Sequence, residues 1–233
     1  MAVALVAVAA LVAFLAARYL LPRLAHRAFT AGNFARSRRR YRAVLWTSMT
    51  ARRRAAARVS IAGAYLAEGR WDDGAAATDA IDGETLDPAT RAGWLNNRAY
   101  ATLRRAPSPE AAERALAQVR EALRARPDVP ALLHTEGLAL LATGRVEESI
   151  RVLESLWEHG ELGPRLESER SADLARAWAA RGETAYAADY ARRARQAAPD
   201  APWNAGADAV VPAPADPALD PALDPALVDD PAA

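Results

Sequence analysis

The stretch PALLHTEGLALLATGRVEESIRVLESLWEH, residues 130–159, reads as two short helices folded back on each other. In the first half, Leu133, Gly137, Leu140 and Leu141 fall at i, i+4, i+7 and i+8, one apolar stripe at helical spacing. In the second half Val146, Ile150, Leu153 and Trp157, at i, i+4, i+7 and i+11, make a second apolar stripe. Glu147 and Glu148 sit in the first turn of the second helix, where the helix dipole favours negative charge. Gly144 is placed to take the left-handed conformation that ends the first helix.

Equivalent positions recur along the chain. Gly32, Gly69, Gly144 and Gly182 each close one helical pattern and open another, and Ala106 fills the gap, giving spacings of 37, 37, 38 and 38 residues. Seven residues before each turn stand Ala25, Ala62, Ala99, Gly137 and Ala175. Five residues after it stand Ser37, Gly74, Ala111, Ser149 and Ala187. All are small, as two closely crossing antiparallel helices require. A fixed period carrying one helical hairpin per copy predicts a solenoid.

These residues resemble the tetratricopeptide repeats over about residues 23–203. The small residue before the middle of the first helix matches at the five positions above. Its aromatic partner three further on matches Tyr65 and Trp178, with Leu140 in the 130–159 copy. A turn glycine followed by a large apolar residue is matched by Gly32-Asn33-Phe34, Gly69-Arg70-Trp71 and Gly144-Arg145-Val146. The closing proline is matched by Pro127 and Pro199, and the segment 94–100 resembles a first helix of the family. The period departs from the family's length of about 34 residues, and the third copy has Arg105-Ala106-Pro107-Ser108-Pro109 in place of the turn glycine. Three to five degenerate repeats are expected.

The resemblance implies a concave groove along the first helices that receives a peptide of a partner protein. By position the expected lining is Asn97 and Tyr100 from the third copy, His134 and Leu138 from the fourth, and Arg176 from the fifth. Asn97 carries the added implication of bonding a bound peptide's backbone.

Ahead of the repeats, Ala2 to Ala17 is uninterrupted apolar sequence, extended by Tyr19-Leu20-Leu21 if Arg18 snorkels. About twenty residues at 1.5 Å each span a hydrocarbon core of roughly 30 Å. Residues 1–67 hold twelve arginines and no acid, and all 30 basic residues of the chain are arginine. Arginines follow the apolar run rather than precede it, which predicts an anchor with its N-terminus outside and the remainder cytoplasmic. Arg36, Arg38, Arg39, Arg40, Arg42, Arg52, Arg53 and Arg54 form a basic belt expected to face anionic membrane lipids. Tyr41 and Trp46 lie among them and could stack on bases, but no nucleic-acid fold accompanies the cluster, so lipid is the preferred partner over nucleic acid.

From Asn204 onward, Asp-Pro-Ala-Leu recurs at 216, 220 and 224, and the composition predicts an acidic, extended, disordered tail. The expected organisation is an anchor over 1–22, arginine-rich juxtamembrane helices over 23–58, repeats over 59–203 and a tail over 204–233. The fold class is all-α: a helix–turn–helix solenoid behind a single transmembrane helix.

Chemistry is sparse. There is no cysteine, and His26, His134 and His159 have no ligand spacing, so no metal site is expected. Neither a glycine-rich phosphate loop nor a nucleophile elbow occurs, and no cofactor or enzyme activity is expected. The expected function is a non-catalytic scaffold or adaptor that holds a protein or peptide partner at the inner face of a bacterial membrane. An exported envelope chaperone and an arginine-rich nucleic-acid-associated protein are the two alternatives, and homo-oligomerisation is left open.

Overall fold

The four turn glycines set the architecture. In the computed structural model, which describes residues 2–105, 107–159 and 162–210, Gly32, Gly69, Gly144 and Gly182 have φ of 73°, 84°, 75° and 92°. Each closes the same pair of backbone bonds: Gly144 N–H donates to Leu141 O at 3.0 Å and Arg145 N–H to Leu140 O at 2.9 Å, for example. This double closure satisfies carbonyls that a helix end leaves unpaired and turns the chain sharply back.

Five helical hairpins follow in order: α1 (Ala2–Thr30) with α2 (Phe34–Thr47), α3 (Ala51–Ala67) with α4 (Trp71–Asp79), α5 (Pro88–Arg104) with α6 (Pro109–Ala125), α7 (Pro130–Ala142) with α8 (Val146–Ser155), and α9 (Pro164–Ala180) with α10 (Thr184–Ala197). A short α11 (Asn204–Asp208) packs on the last pair. The first helices of successive hairpins stack, α3 on α5, α5 on α7 and α7 on α9. The array is an all-α, tetratricopeptide-like stack of hairpins.

The small residues sit where the helices cross. Ala25, Ala62, Ala99 and Ala175 are fully buried, and so are Ser37, Ser149 and Ala187 on the second helices. A Cβ on Gly137 would stand 2.6 Å from Leu153 Cδ2, and one on Gly74 would stand 2.3 Å from Leu66 Cδ2. These contacts leave no room for a methyl group. Ser149 Oγ also donates to the Gly137 carbonyl at 2.7 Å, across the crossing.

Several expectations shift. In the third hairpin the fully buried residue is Ala112, with Ala111 half-buried. The turn without glycine is longer, and Ser108 caps α6 by accepting from Ala111 N–H at 3.3 Å, so the crossing slips by one residue. Trp157 does not continue the α8 stripe. The α-helix stops at Ser155 and a 3-10 turn follows over Leu156–His159, whose tighter winding buries Leu156 and leaves Trp157 55% exposed. The Arg170 guanidinium lies 4.5 Å above the Trp157 ring.

Two expected boundaries do not coincide with element ends. Pro22 lies inside α1, and position 58 lies inside α3. Arginine is a good helix former, so a change to basic composition does not end a helix. The expected tail at 204 is also too early: Trp203, Asn204 and Ala207 are buried, with Trp203 Nε1 donating to Ser168 Oγ at 2.9 Å. The Asp-Pro-Ala-Leu copies lie outside the described residues.

α1 contains the one helical segment, among the described residues, that is long and apolar enough to cross a membrane (Ala4–Thr30), and none of its apolar window is buried. A membrane anchor and a signal sequence share that property.

Candidate functional site: the groove along the first helices

Stacking α3, α5, α7 and α9, with the α1–α2 turn at one end, leaves a groove of about 410 Å³. Every hairpin contributes to it, from Phe29 and Phe34 at one end, through Gly63, Asn96, Asn97, Tyr100 and His134, to Arg165, Leu166 and Trp203 at the other. The curl is tight enough that the ends touch. Arg165, in the first turn of α9, donates from Nε to the Ala67 carbonyl of α3 at 2.7 Å, across 98 residues of sequence. Pro202 fills the space beside Gly69, where a Cβ would meet its ring at 2.6 Å.

Three of the five expected lining residues come together here, but as its floor. Asn97, Tyr100 and His134 are buried, and each has a polar atom bonded within the protein. Asn97 Nδ2 donates to Val59 O at 2.9 Å, Tyr100 Oη donates to a Glu169 carboxylate oxygen, and His134 Nε2 lies 2.9 Å from Asp173 Oδ2. Leu138 is buried in the main apolar core, and Arg176 pairs with Asp173; neither lines the groove. Asn97, Tyr100 and His134 stand on helices that line this groove, and the curl of the array decides which of their side chains turn inward.

Beneath the floor is a buried polar cluster. Arg104 joins Asp173 and Glu169, and Asp173 also receives His134 and Arg176. Burial would raise the Asp173 carboxyl, but Arg104, Arg176 and His134 hold it well below the ordinary carboxylate range. Burial pushes the Tyr100 hydroxyl far up, so it stays a protonated donor. Burial opposes the charge on Arg104, and Asp173, Tyr100 and Glu169 more than restore it. Because these groups satisfy one another, the cluster is suited to fixing the register of α5, α7 and α9.

Two groups that sequence reasoning missed also belong to the groove lining. Asn96 Oδ1 is buried with no hydrogen-bond partner among the described residues, an acceptor suited to a peptide N–H. The Arg165 guanidinium is held between two rings, 4.8 Å from the Phe34 centroid and 4.7 Å from that of Trp203. Burial lowers its pKa, with Glu169 the leading opposing charge. No ion pair to Arg165 forms among the described residues, so the fixed cation can bind a carboxylate. Asn96 gave a faint signal as the neighbour of Asn97. Arg165 gave none, since only the closure of the array brings Phe34 and Trp203 around it.

The basic belt is likewise partly engaged in internal contacts. Arg38 is buried against Glu68 at 2.6 Å, Arg40 donates to Leu24 O at 2.7 Å, and Arg42 donates to the Tyr65 hydroxyl at 2.9 Å. Arg52 pairs with Asp87 at 3.2 Å. Arg36, Arg39 and Arg54 are exposed, and Arg53 is half-buried.

No protein-family model and no curated protein matches the chain. Solved structures do. A thermophilic TPR protein of Thermus thermophilus is 17% identical with a TM-score of 0.57, over 82% of this chain and 96% of that one. YrrB, described as a TPR protein with an unusual peptide-binding site, is 12% identical with a TM-score of 0.41, over 81% of this chain and 90% of that one. PilF of Pseudomonas aeruginosa is 13% identical with a TM-score of 0.43, over 84% and 99%. The Thermus match covers nearly the whole array, and the fold of the chain is that of a TPR-like repeat protein.

Proposed function

We propose that this chain is a non-catalytic scaffold, anchored by α1, that holds a partner protein at the cytoplasmic face of a bacterial membrane by gripping an extended peptide in the groove. The observation that carries this is the pairing of an unpartnered acceptor, Asn96 Oδ1, with a ring-held cation, Arg165, in one apolar channel. The peptide would give a backbone N–H to Asn96, an acidic side chain to Arg165 and apolar side chains to Phe29, Phe34 and Leu166. Support for the location is the apolar run over residues 2–17 followed by arginines without acids up to residue 67. Arg36, Arg39 and Arg54 add diffuse attraction to anionic lipid.

Acidic peptides selected from a display library on the full chain in detergent test the groove. Binding should fall by about tenfold or more in Arg165→Ala, the effect of losing one charge-assisted pair worth ~1.5–3 kcal/mol. Unchanged binding would contradict the assignment. A phosphatase fused after Val210 tests the orientation: activity outside the cytoplasm would replace the cytoplasmic reading with that of an exported envelope chaperone.

A further inference from the structure

A second cavity, of about 340 Å³, lies away from the peptide groove, between the lower part of α1 and the corner joining α2 to α3. Because α2 runs back along α1, its last turn returns beside residues 17–23, and both segments line the cavity. Arg18 and Arg23 enter from α1 and Arg53 from α3, and Tyr19, Tyr41, Thr47, Ser48 and Ser60 also line it, with the Thr47 and Ser60 hydroxyls donating to the Ala43 and Ala56 carbonyls. No acidic residue lines it. None of the three arginines is in an ion pair among the described residues, unlike Arg38 and Arg52 of the belt. Three unpaired guanidiniums around a small concavity make a receptor for a phosphate diester.

The rim carries an independent signal. Trp46 is 90% exposed and Met49 is 78% exposed, side by side in the corner whose Thr47 and Ser48 line the cavity. A large aromatic and a thioether left in water flank a cationic site at the end of an apolar helix. At 1.5 Å per residue, Arg18 stands about 24 Å along α1 from Ala2, near the far boundary of a hydrocarbon core. Tryptophan is favoured at that boundary, where its ring is half in lipid and its N–H meets headgroups.

We infer that this cavity seats the phosphate of an anionic phospholipid, with Trp46 and Met49 inserted at the acyl-chain boundary beside it. The inference rests on reading α1 as a membrane span. It adds one defined site to the diffuse attraction of Arg36, Arg39 and Arg54, and it ties the first hairpin to the bilayer surface so that the corner sets the tilt of the array.

The test uses the full chain in lipid nanodiscs, comparing brominated phosphatidylglycerol with brominated phosphatidylcholine at equal small fractions in a phosphatidylcholine background. The readout is tryptophan quenching in the wild type minus that in Trp46→Phe, which isolates Trp46 from the other tryptophans. Quenching should favour phosphatidylglycerol, and the preference should fall about fivefold for each of Arg18→Gln, Arg23→Gln and Arg53→Gln, the fold-change equivalent to ~1 kcal/mol per arginine near an anionic surface. Arg114→Gln, Arg124→Gln and Arg151→Gln together remove the same charge elsewhere and should leave it intact, with helix content checked by circular dichroism. An undiminished preference in the cavity triple variant, or no quenching difference on removing Trp46, would overturn the site. Displacement of the lipid preference by soluble glycerol phosphate would also overturn it, in favour of a free-phosphate site. Release of the wild-type chain from native membranes by carbonate is the separate result that would remove the anchor reading itself.

Discussion

Arg104 of α5 and Asp173 of α9 meet in a two-pronged ion pair, Nη1 to Oδ1 at 3.0 Å and Nη2 to Oδ2 at 2.8 Å, although 69 residues separate them. His134 of α7 reaches the same carboxylate. The pair therefore spans three successive hairpins, and its side chains are 5% and 0% exposed. Removing one partner strands a charge away from water. Asp173→Ala should cost ~3–5 kcal/mol of stability, measured by denaturant unfolding of the full chain in detergent. Arg176, also paired with Asp173 but one-third exposed, should cost under about 1 kcal/mol when changed to alanine.

The same carboxylate gives a pH dependence with a definite sign. Its folded-state pKa is depressed despite burial, because Arg104 and its other cationic neighbours stabilise the charge. The unfolded chain then binds the proton more readily, so stability rises with pH in that window. The contribution is complete above the unfolded-state value of about 3.9 and is lost as pH falls through the folded-state value. Unfolding midpoints should drop steeply below about pH 4 in the wild type, and the slope should be flatter in Asp173→Asn.

Two glycines seven residues apart should fail in different ways. Gly137→Ala places a methyl group against the Leu153 side chain and should cost ~1–3 kcal/mol by overpacking, less when combined with Leu153→Val, since contacting sites couple. Gly144→Ala meets open space but holds φ of 75°, costing about 1–2 kcal/mol through backbone strain. Gly144→Asn should restore part of that, because asparagine tolerates the left-handed region. Thermal midpoints of the three variants and the double variant check both assignments.

How much was legible in the sequence follows from these same residues. The turn glycines and the small crossing residues were readable because backbone conformation and close helix approach each demand a residue type at a fixed offset. All four glycines have positive φ. The groove was only partly readable. Asn97, Tyr100 and His134 lie on helices that line it, but their burial depends on how tightly the array curls, which no local pattern encodes. Arg38 shows the same limit from the other side: an arginine within a basic run became a buried partner of Glu68, 30 residues away.

The segment after α10 illustrates a composition signal overridden by packing. Alanine, proline and asparagine near residue 204 resemble the composition of residues 211–233, yet Trp203 and Ala207 seal the end of the last hairpin. Trp203→Ala should cost ~3–5 kcal/mol and loosen the groove end that it lines. Equal midpoints for Trp203→Ala and the wild type would contradict that capping role.

The central claim is that a partner peptide occupies the groove while the chain sits on a membrane. It is tested most directly by placing a photo-crosslinking amino acid at position 131, exposed in the groove lining, or at position 151, exposed on α8, and irradiating intact membranes. The account predicts a discrete crosslinked protein from position 131, abolished by Arg165→Ala and absent from position 151. Equal products from both positions, or a position-131 product indifferent to Arg165→Ala, would contradict it.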